Sequence, residues 1–118
     1  MDKLYKMVQG YWKRFPDGIE PFQMATRLLE ECGEVASQVN LWEDSGIKRQ
    51  KYGEPKKEAL AGEIKQALVA LMQIAVYYGV ENELEESIDK SLELMEKEGV
   101  NFCYCSLTTA KNQENHAN

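Results

Sequence analysis

Residues 22–39 read Phe22-Gln-Met-Ala-Thr-Arg-Leu-Leu-Glu-Glu-Cys-Gly-Glu-Val-Ala-Ser-Gln-Val39. Leu28, Cys32, Val35 and Val39 recur at helical spacing, with Ala25, Leu29 and Ala36 beside them, so the stretch is expected to form a helix with an apolar stripe. Three glutamates, Glu30, Glu31 and Glu34, interrupt it. Residues one, three and four apart share one side of a helix, so their carboxylates are expected to converge. Arg27 is the one nearby cation, spaced to reach Glu30 at i+3 and Glu31 at i+4. Glu34 has only Glu30, Glu31, Ser37 and Gln38 at those spacings. Like charges so placed weaken a helix by a few tenths of a kcal/mol per pair, at roughly the scale of single surface ion pairs. A bound divalent cation is the simplest compensation, although similar clusters also decorate ordinary solvated faces.

Outward from this stretch the chain reads as helices throughout. A first helix is expected over Asp2–Arg14, with Leu4, Met7, Val8, Tyr11 and Trp12 in phase. Phe15-Pro-Asp-Gly ends it. The second helix runs from Pro21, tolerated in a first turn, to Trp42. Glu43–Pro55, polar and basic with Lys48, Arg49 and Lys51, reads as a loop. A third helix follows over Lys56–Tyr78, burying Leu60, Ile64, Ala67, Leu68, Leu71, Ile74 and Ala75, with Gly79 as its stop. A fourth spans about Asn82–Glu98, with Leu84, Ile88, Leu92 and Met95 as its stripe. The expected architecture is an all-α bundle of four principal helices over residues 1–99, followed by a loosely held tail over 100–118. The third helix is apolar nearly all round from Ala67 onward, more than a small bundle covers, so a homodimer or a tetramer of dimers is expected.

Composition narrows the function classes. At 118 residues, with 43% hydrophobic and 29% charged, the chain suits one globular domain. A net charge of −6 disfavours binding to nucleic acid polymers, anionic membranes or bare polyphosphate, so a phosphate ligand must bring a metal. The apolar run Ala67–Val80 is interrupted by Gln73 and is too short to span a bilayer. Met-Asp-Lys-Leu-Tyr-Lys begins no signal peptide. Three cysteines, Cys32, Cys103 and Cys105, form no disulfide framework, and a soluble protein of the reducing cytoplasm is expected. Cys103 and Cys105 alone make a poor metal clip, and His116, the single histidine, stands in the tail.

The third helix carries a second polar interruption, Glu63 with Gln66 three residues later. Helical bundles build metal sites from carboxylates on facing helices, and Mg²⁺ takes oxygen ligands in octahedral geometry. Glu31, Glu34 and Glu63 would give such an ion three carboxylates, with Glu30 ligating or supporting them.

From its first helix to about Gly99 the chain resembles the MazG-like all-α nucleoside triphosphate pyrophosphohydrolases. Leu29-Glu-Glu-Cys-Gly-Glu-Val is similar to the family's first acidic motif, Glu-x-x-Glu, at Glu31 and Glu34. The second motif, Glu-x-x-Asp, falls on Glu63-Ile-Lys-Gln66, and the apolar helix ending in glycine follows it. One position departs: Gln66 stands where the family has aspartate, offering a carbonyl oxygen but no charge.

The resemblance implies Mg²⁺-dependent hydrolysis of a nucleoside triphosphate, a non-standard or surplus NTP or dNTP, to the monophosphate and pyrophosphate. Glu31, Glu34 and Glu63 would hold Mg²⁺ with Gln66 as the fourth ligand, and Glu30 would orient or deprotonate the attacking water. It also implies that the first helix borders the nucleotide pocket, where Trp12 and Tyr11 would stack on a base, a role such rings share with ordinary core packing. Lys48, Arg49 and Lys51 would reach the outer phosphates, or else belong to a solvated linker. The alternative expectation is a weakened relative that, through Gln66, binds nucleotide or a protein partner without efficient turnover.

Overall fold

Each helix ends where local chemistry stops it. The computed structural model describes residues 1–102. Helix α1, Asp2–Arg14, has Asp2 in its first turn and Lys13 and Arg14 in its last, which complements the helix dipole. It stops at Phe15 because the residue before a proline disfavours helical backbone. Helix α2, Pro21–Trp42, begins with proline at its first position, and the Glu20 carboxylate accepts hydrogen bonds from the Phe22 and Gln23 N–H groups at 3.2 Å each. Helix α4, Lys57–Tyr78, ends at Gly79 in the left-handed region (φ 65°). There the Val80 N–H donates to the Ala75 carbonyl and the Gly79 N–H to that of Val76, a Schellman closure that glycine makes easy. Helix α5, Glu81–Lys97, completes an all-α fold, with no strand among the described residues.

Residues 43–55 are not a plain loop. They contain a short helix α3, Lys48–Tyr52. Arg49 accounts for it: its Nε donates to the Leu41 carbonyl (3.3 Å) and its Nη2 to the Trp42 carbonyl (2.8 Å), so the guanidinium caps the end of α2. It also pairs loosely with Asp44 and Glu54, at 4.0 and 3.9 Å. Turn chemistry was visible in this segment, but a cap supplied by a side chain seven and eight residues downstream leaves no periodic signal.

The chain divides into two units, Met1–Glu81 and the remainder from Asn82. In the first unit α1 and α2 both pack on α4, and α3 packs on α2. Val8, Met24, Leu41, Val69, Ala70, Met72 and Ala75 form the buried apolar core. In the second unit, none of the α5 residues is fully buried, and Ile88, Leu92 and Met95 of the expected stripe are exposed. Most of the expected tail, residues 103–118 with Cys103, Cys105 and His116, lies outside the described residues.

Two expected stripes turn inward only in part: Leu28 and Val35 of the first, and Leu60, Ala67, Ile74 and Ala75 of the second, are buried or half-buried. On α2, Cys32 and Val39 are exposed along with Ala25, Leu29 and Ala36, Leu29 to 74%. The row turned inward is instead Met24, Leu28, Glu31, Val35, Gln38 and Leu41, each buried or half-buried. On α4, Ile64, Leu68 and Leu71 are exposed, while Val69, Ala70, Met72 and Gln73 are buried. Both helices thus carry two rows at mixed three- and four-residue spacing. The packed row is the one that contains polar residues. Apolarity alone points to it only in part.

By length and composition, α4 is also a helix able to cross a membrane: its most apolar window has a mean hydropathy of 1.4, and 28% of that window is buried. The central helix of a packed bundle has the same length and composition.

Arg49→Ala should remove both hydrogen bonds to the α2 terminus, at about 1–3 kcal/mol for the orphaned carbonyls. Thermal denaturation should fall by roughly 4–8 °C per kcal/mol. Loss of only the two surface ion pairs would leave the melting temperature nearly unchanged.

Candidate metal centre

Glu31 and Glu34 are one turn apart on α2, and Glu63 comes from the facing helix α4. One carboxylate oxygen from each lies within 4.8 Å of the others. Glu31 and Glu63 are half-buried, and Glu34 is exposed. The inward row explains the convergence. Glu31 occupies a seam position of α2, and Glu34 lies one turn on, at the seam's edge toward Glu63.

The electrostatics are those of acids without enough counter-charge. Burial raises the Glu31 carboxyl above its ordinary value of 4.5, the Glu34 and Glu30 charges add to that, and Arg27 offsets it only in part. Its Oε2 is buried with no hydrogen-bond partner among the described residues. Glu63 is raised chiefly by hydrogen bonding with the Glu34 carboxyl, then by burial and by the Glu34 and Glu31 charges, against a smaller opposing effect of Lys65. Arg27 does not form the expected ion pair with Glu30 or Glu31. Its guanidinium lies beside Gly18 (φ 85°), with Nη2 3.3 Å from where a Cβ would sit. The turn after α1 draws it away from its own helix.

The donor set suits a hard cation. Octahedral Mg²⁺ with ligands at about 2.0–2.1 Å places their oxygens roughly 2.9–4.2 Å apart. Three oxygens within 4.8 Å need only a small closure to meet that. Glu31 Oε2, already stripped of solvent and partners, has most to gain.

Gln66 stands near but is engaged. Its Oε1 accepts a hydrogen bond from the Tyr11 hydroxyl at 3.4 Å. Glu30 stands apart from the three converging acids: it is exposed and lines a separate groove with Arg27, Glu20 and Thr26.

A cavity of about 540 Å³ opens beside Glu31 and Gln66. Tyr11, Trp12 and Phe15 of the α1 end form one wall. The turn Pro16–Ile19 and Arg27 form another, and Val69, Ala70 and Gln73 of α4 a third. This volume is in the range of small-molecule sites, and its mix of rings, apolar surface and a few polar groups is typical of them. Gln73, which the sequence offers only as a break in an apolar run, is 5% exposed and makes no hydrogen bond with a described residue.

The basic residues lie elsewhere. Lys48 and Lys56 line a second cavity of about 360 Å³ with Gln38, which is one turn beyond Glu34 on α2. Lys51 stands over the Tyr52 ring at 5.2 Å, and Arg49 is committed to α2. Trp42 keeps its indole Nε1 buried with no acceptor among the described residues.

No family model matches the chain, and no curated protein or solved structure matches it.

Because the Glu31 and Glu63 values are raised on folding, their stabilising contribution is complete below about 4.5 and is lost as pH rises through the folded values. The metal-free melting temperature should therefore decline from about pH 4.5 toward neutrality. Glu63→Gln should flatten that decline and raise the melting temperature at pH 7. A slope unchanged by the substitution would show that the acids do not sense one another.

Proposed function

We propose that this chain is a MazG-like pyrophosphohydrolase that cleaves a nucleoside triphosphate to the monophosphate and pyrophosphate with Mg²⁺. The observation that carries the reading is the meeting of Glu31, Glu34 and Glu63, with Glu31 itself lining a ring-walled cavity. Acid clusters on helices are common; one that adjoins a pocket of nucleoside size is less so.

The division of labour follows from the lining. Tyr11, Trp12 and Phe15 supply ring faces for a base, as flat apolar surface with a polar tip does well. Arg27, unpaired with the neighbouring acids, offers a guanidinium to a phosphate oxygen. Glu31, Glu34 and Glu63 would hold Mg²⁺. When bound, the ion supplies neutralisation of the charge that builds on the phosphate oxygens. Water forms a new O–P bond at a phosphorus flanking the α–β bridge, that bridging P–O bond breaks, and pyrophosphate departs. The proton from water passes to a carboxylate. Glu34, exposed at the cluster, is better placed to receive it than Glu30, which lines a different groove. Lys48 and Lys56, which line the cavity that Gln38 shares one turn beyond Glu34, would meet the outer phosphates.

A second reading has its own support. Gln66 carries no charge, and its carbonyl oxygen is already taken by the Tyr11 hydroxyl. A site held by three carboxylates binds divalent cations more weakly than one held by four. Under this reading the chain binds nucleotide with little turnover.

The exposed rows of α2 (Leu29, Val39) and α4 (Ile64, Leu68, Leu71) support self-association through these helices. A homodimer would cover both rows at once.

Pyrophosphate release over a panel of canonical and damaged nucleotides should require Mg²⁺ and fall at least about 100-fold in Glu34→Gln, as expected when a metal ligand is lost. Gln66→Asp should raise turnover. Nucleotide binding without turnover, with activity appearing in Gln66→Asp, selects the second reading. Absence of both binding and turnover at high Mg²⁺ excludes the nucleotide reading. In sedimentation, wild type should run above its 13.5 kDa monomer mass and Leu68→Glu should not.

A further inference from the structure

The geometry points to Gln73 as the residue that selects the ligand's ring: its amide hydrogen-bonds the edge of a planar heterocycle seated in the large cavity. This inference rests on the nucleotide reading of that cavity and adds the determinant of base choice.

Gln73 lies on α4 one turn beyond Val69 and Ala70 and two turns from Gln66, so all four share one side of the helix and all line the cavity. It is the buried polar residue of the described core, 5% exposed, amid Val69, Ala70, Met72 and Ala75. No described residue accepts its N–H₂ or donates to its carbonyl. Its polar atoms are not among those sealed from solvent without a partner, so what accessibility Gln73 keeps is toward the cavity it lines, where an amide can meet a ligand and a methionine could not.

The opposite wall explains the kind of ligand. Tyr11, Trp12 and Phe15 offer ring faces, suited to a flat aromatic system. A ring stacked there needs an edge partner that stays dry, and an amide presents an acceptor and a donor side by side. That pair matches heterocycle edges in which a donor and an acceptor adjoin, as in the bidentate contact of glutamine with adenine. Apolar walls discriminate weakly between rings of similar size, whereas a buried polar group left unpaired by the wrong ring rejects it strongly. Gln66 does not serve this purpose, because its carbonyl oxygen is engaged by Tyr11 and it stands at the acidic end. Gln73 therefore acts by touching the base, at a distance from the metal ligands along the same helix.

The test uses full-length protein with Mg²⁺ and non-hydrolysable α,β-imido triphosphates, titrated by calorimetry. Each base is paired with an analogue lacking one edge group: adenine with purine, cytosine with 2-pyrimidinone. Wild type should prefer at least one complete base over its analogue by about tenfold or more. Gln73→Met should abolish that preference while leaving the Mg²⁺-induced rise in melting temperature unchanged. It should also melt close to wild type without ligand, because methionine fills a similar volume in the apolar surroundings. Gln73→Glu, which keeps the length but loses the donors, should change the preferred base or eliminate the preference. A preference equal in wild type and Gln73→Met overturns the assignment, as does the absence of any preference in wild type. Failure of Mg²⁺ to bind, with base preference intact and lost in Gln73→Met, would instead overturn the metal reading and leave Gln73 in place.

Discussion

Packing α2 against α4 buries Met24 and Leu41 only by carrying Glu31 and Gln38 into the same seam, and Glu63 enters it from the other side. The rest of the structure depends on that constraint. A helix with two apolar rows has a choice of which to bury, and here the purely apolar row is left outside. The price is a set of carboxyls whose charges are opposed by burial and by one another, with Arg27 drawn off to Gly18. Hydrogen bonding with the Glu34 carboxyl is the chief effect raising Glu63. A divalent cation would offset these effects, because it satisfies all three acids together.

The same seam orders the neighbouring features. Toward the α1 end it opens into the ring-walled cavity, where Glu31 and Gln66 form the polar rim and Gln73 lies deeper. Toward α3 it reaches Gln38, Lys48 and Lys56. A phosphorylated, ring-bearing ligand laid along α2 and α4 would meet stacking surface, acids and lysines in that order. Buried oxygens without a described partner lie along this route, Glu31 Oε2 and Gln38 Oε1, and the Gln73 amide faces the cavity. Sites built for a ligand commonly carry such local costs, which structure elsewhere offsets.

Much of this was legible from residues alone, and the failures have physical causes. The bounds of α1 and α2 follow from Phe15-Pro16 and from Pro21, and that of α4 from Gly79, because these residues act on backbone geometry directly. Glu31, Glu34 and Glu63 could be read as one cluster from helical spacing, and they do meet. The inward face could not be read so simply. Hydrophobic periodicity ranks Cys32 and Val39 above Glu31 and Gln38, so a packed row that carries polar side chains loses that comparison. Glu30 lies outside the three-acid cluster and lines another groove, since sharing a helix side to within a residue does not fix which groove a side chain enters. The capping role of Arg49 and the place of Gln73 in the cavity wall were not legible, because their partners are distant carbonyls and a cavity, neither of which leaves a mark on local spacing.

The central claim is that the seam acids form a cation site whose protons give way to the ion. Calorimetric titration of the full chain with MgCl₂ at pH 5, close to the ordinary carboxyl value above which Glu31 and Glu63 are raised, repeated in two buffers of different ionisation enthalpy, measures it directly, because the buffer dependence of the heat counts the protons released. The account predicts saturable binding with net proton release, both lost in Glu31→Gln. Heats of dilution alone, or binding that releases no proton and survives Glu31→Gln, would contradict it.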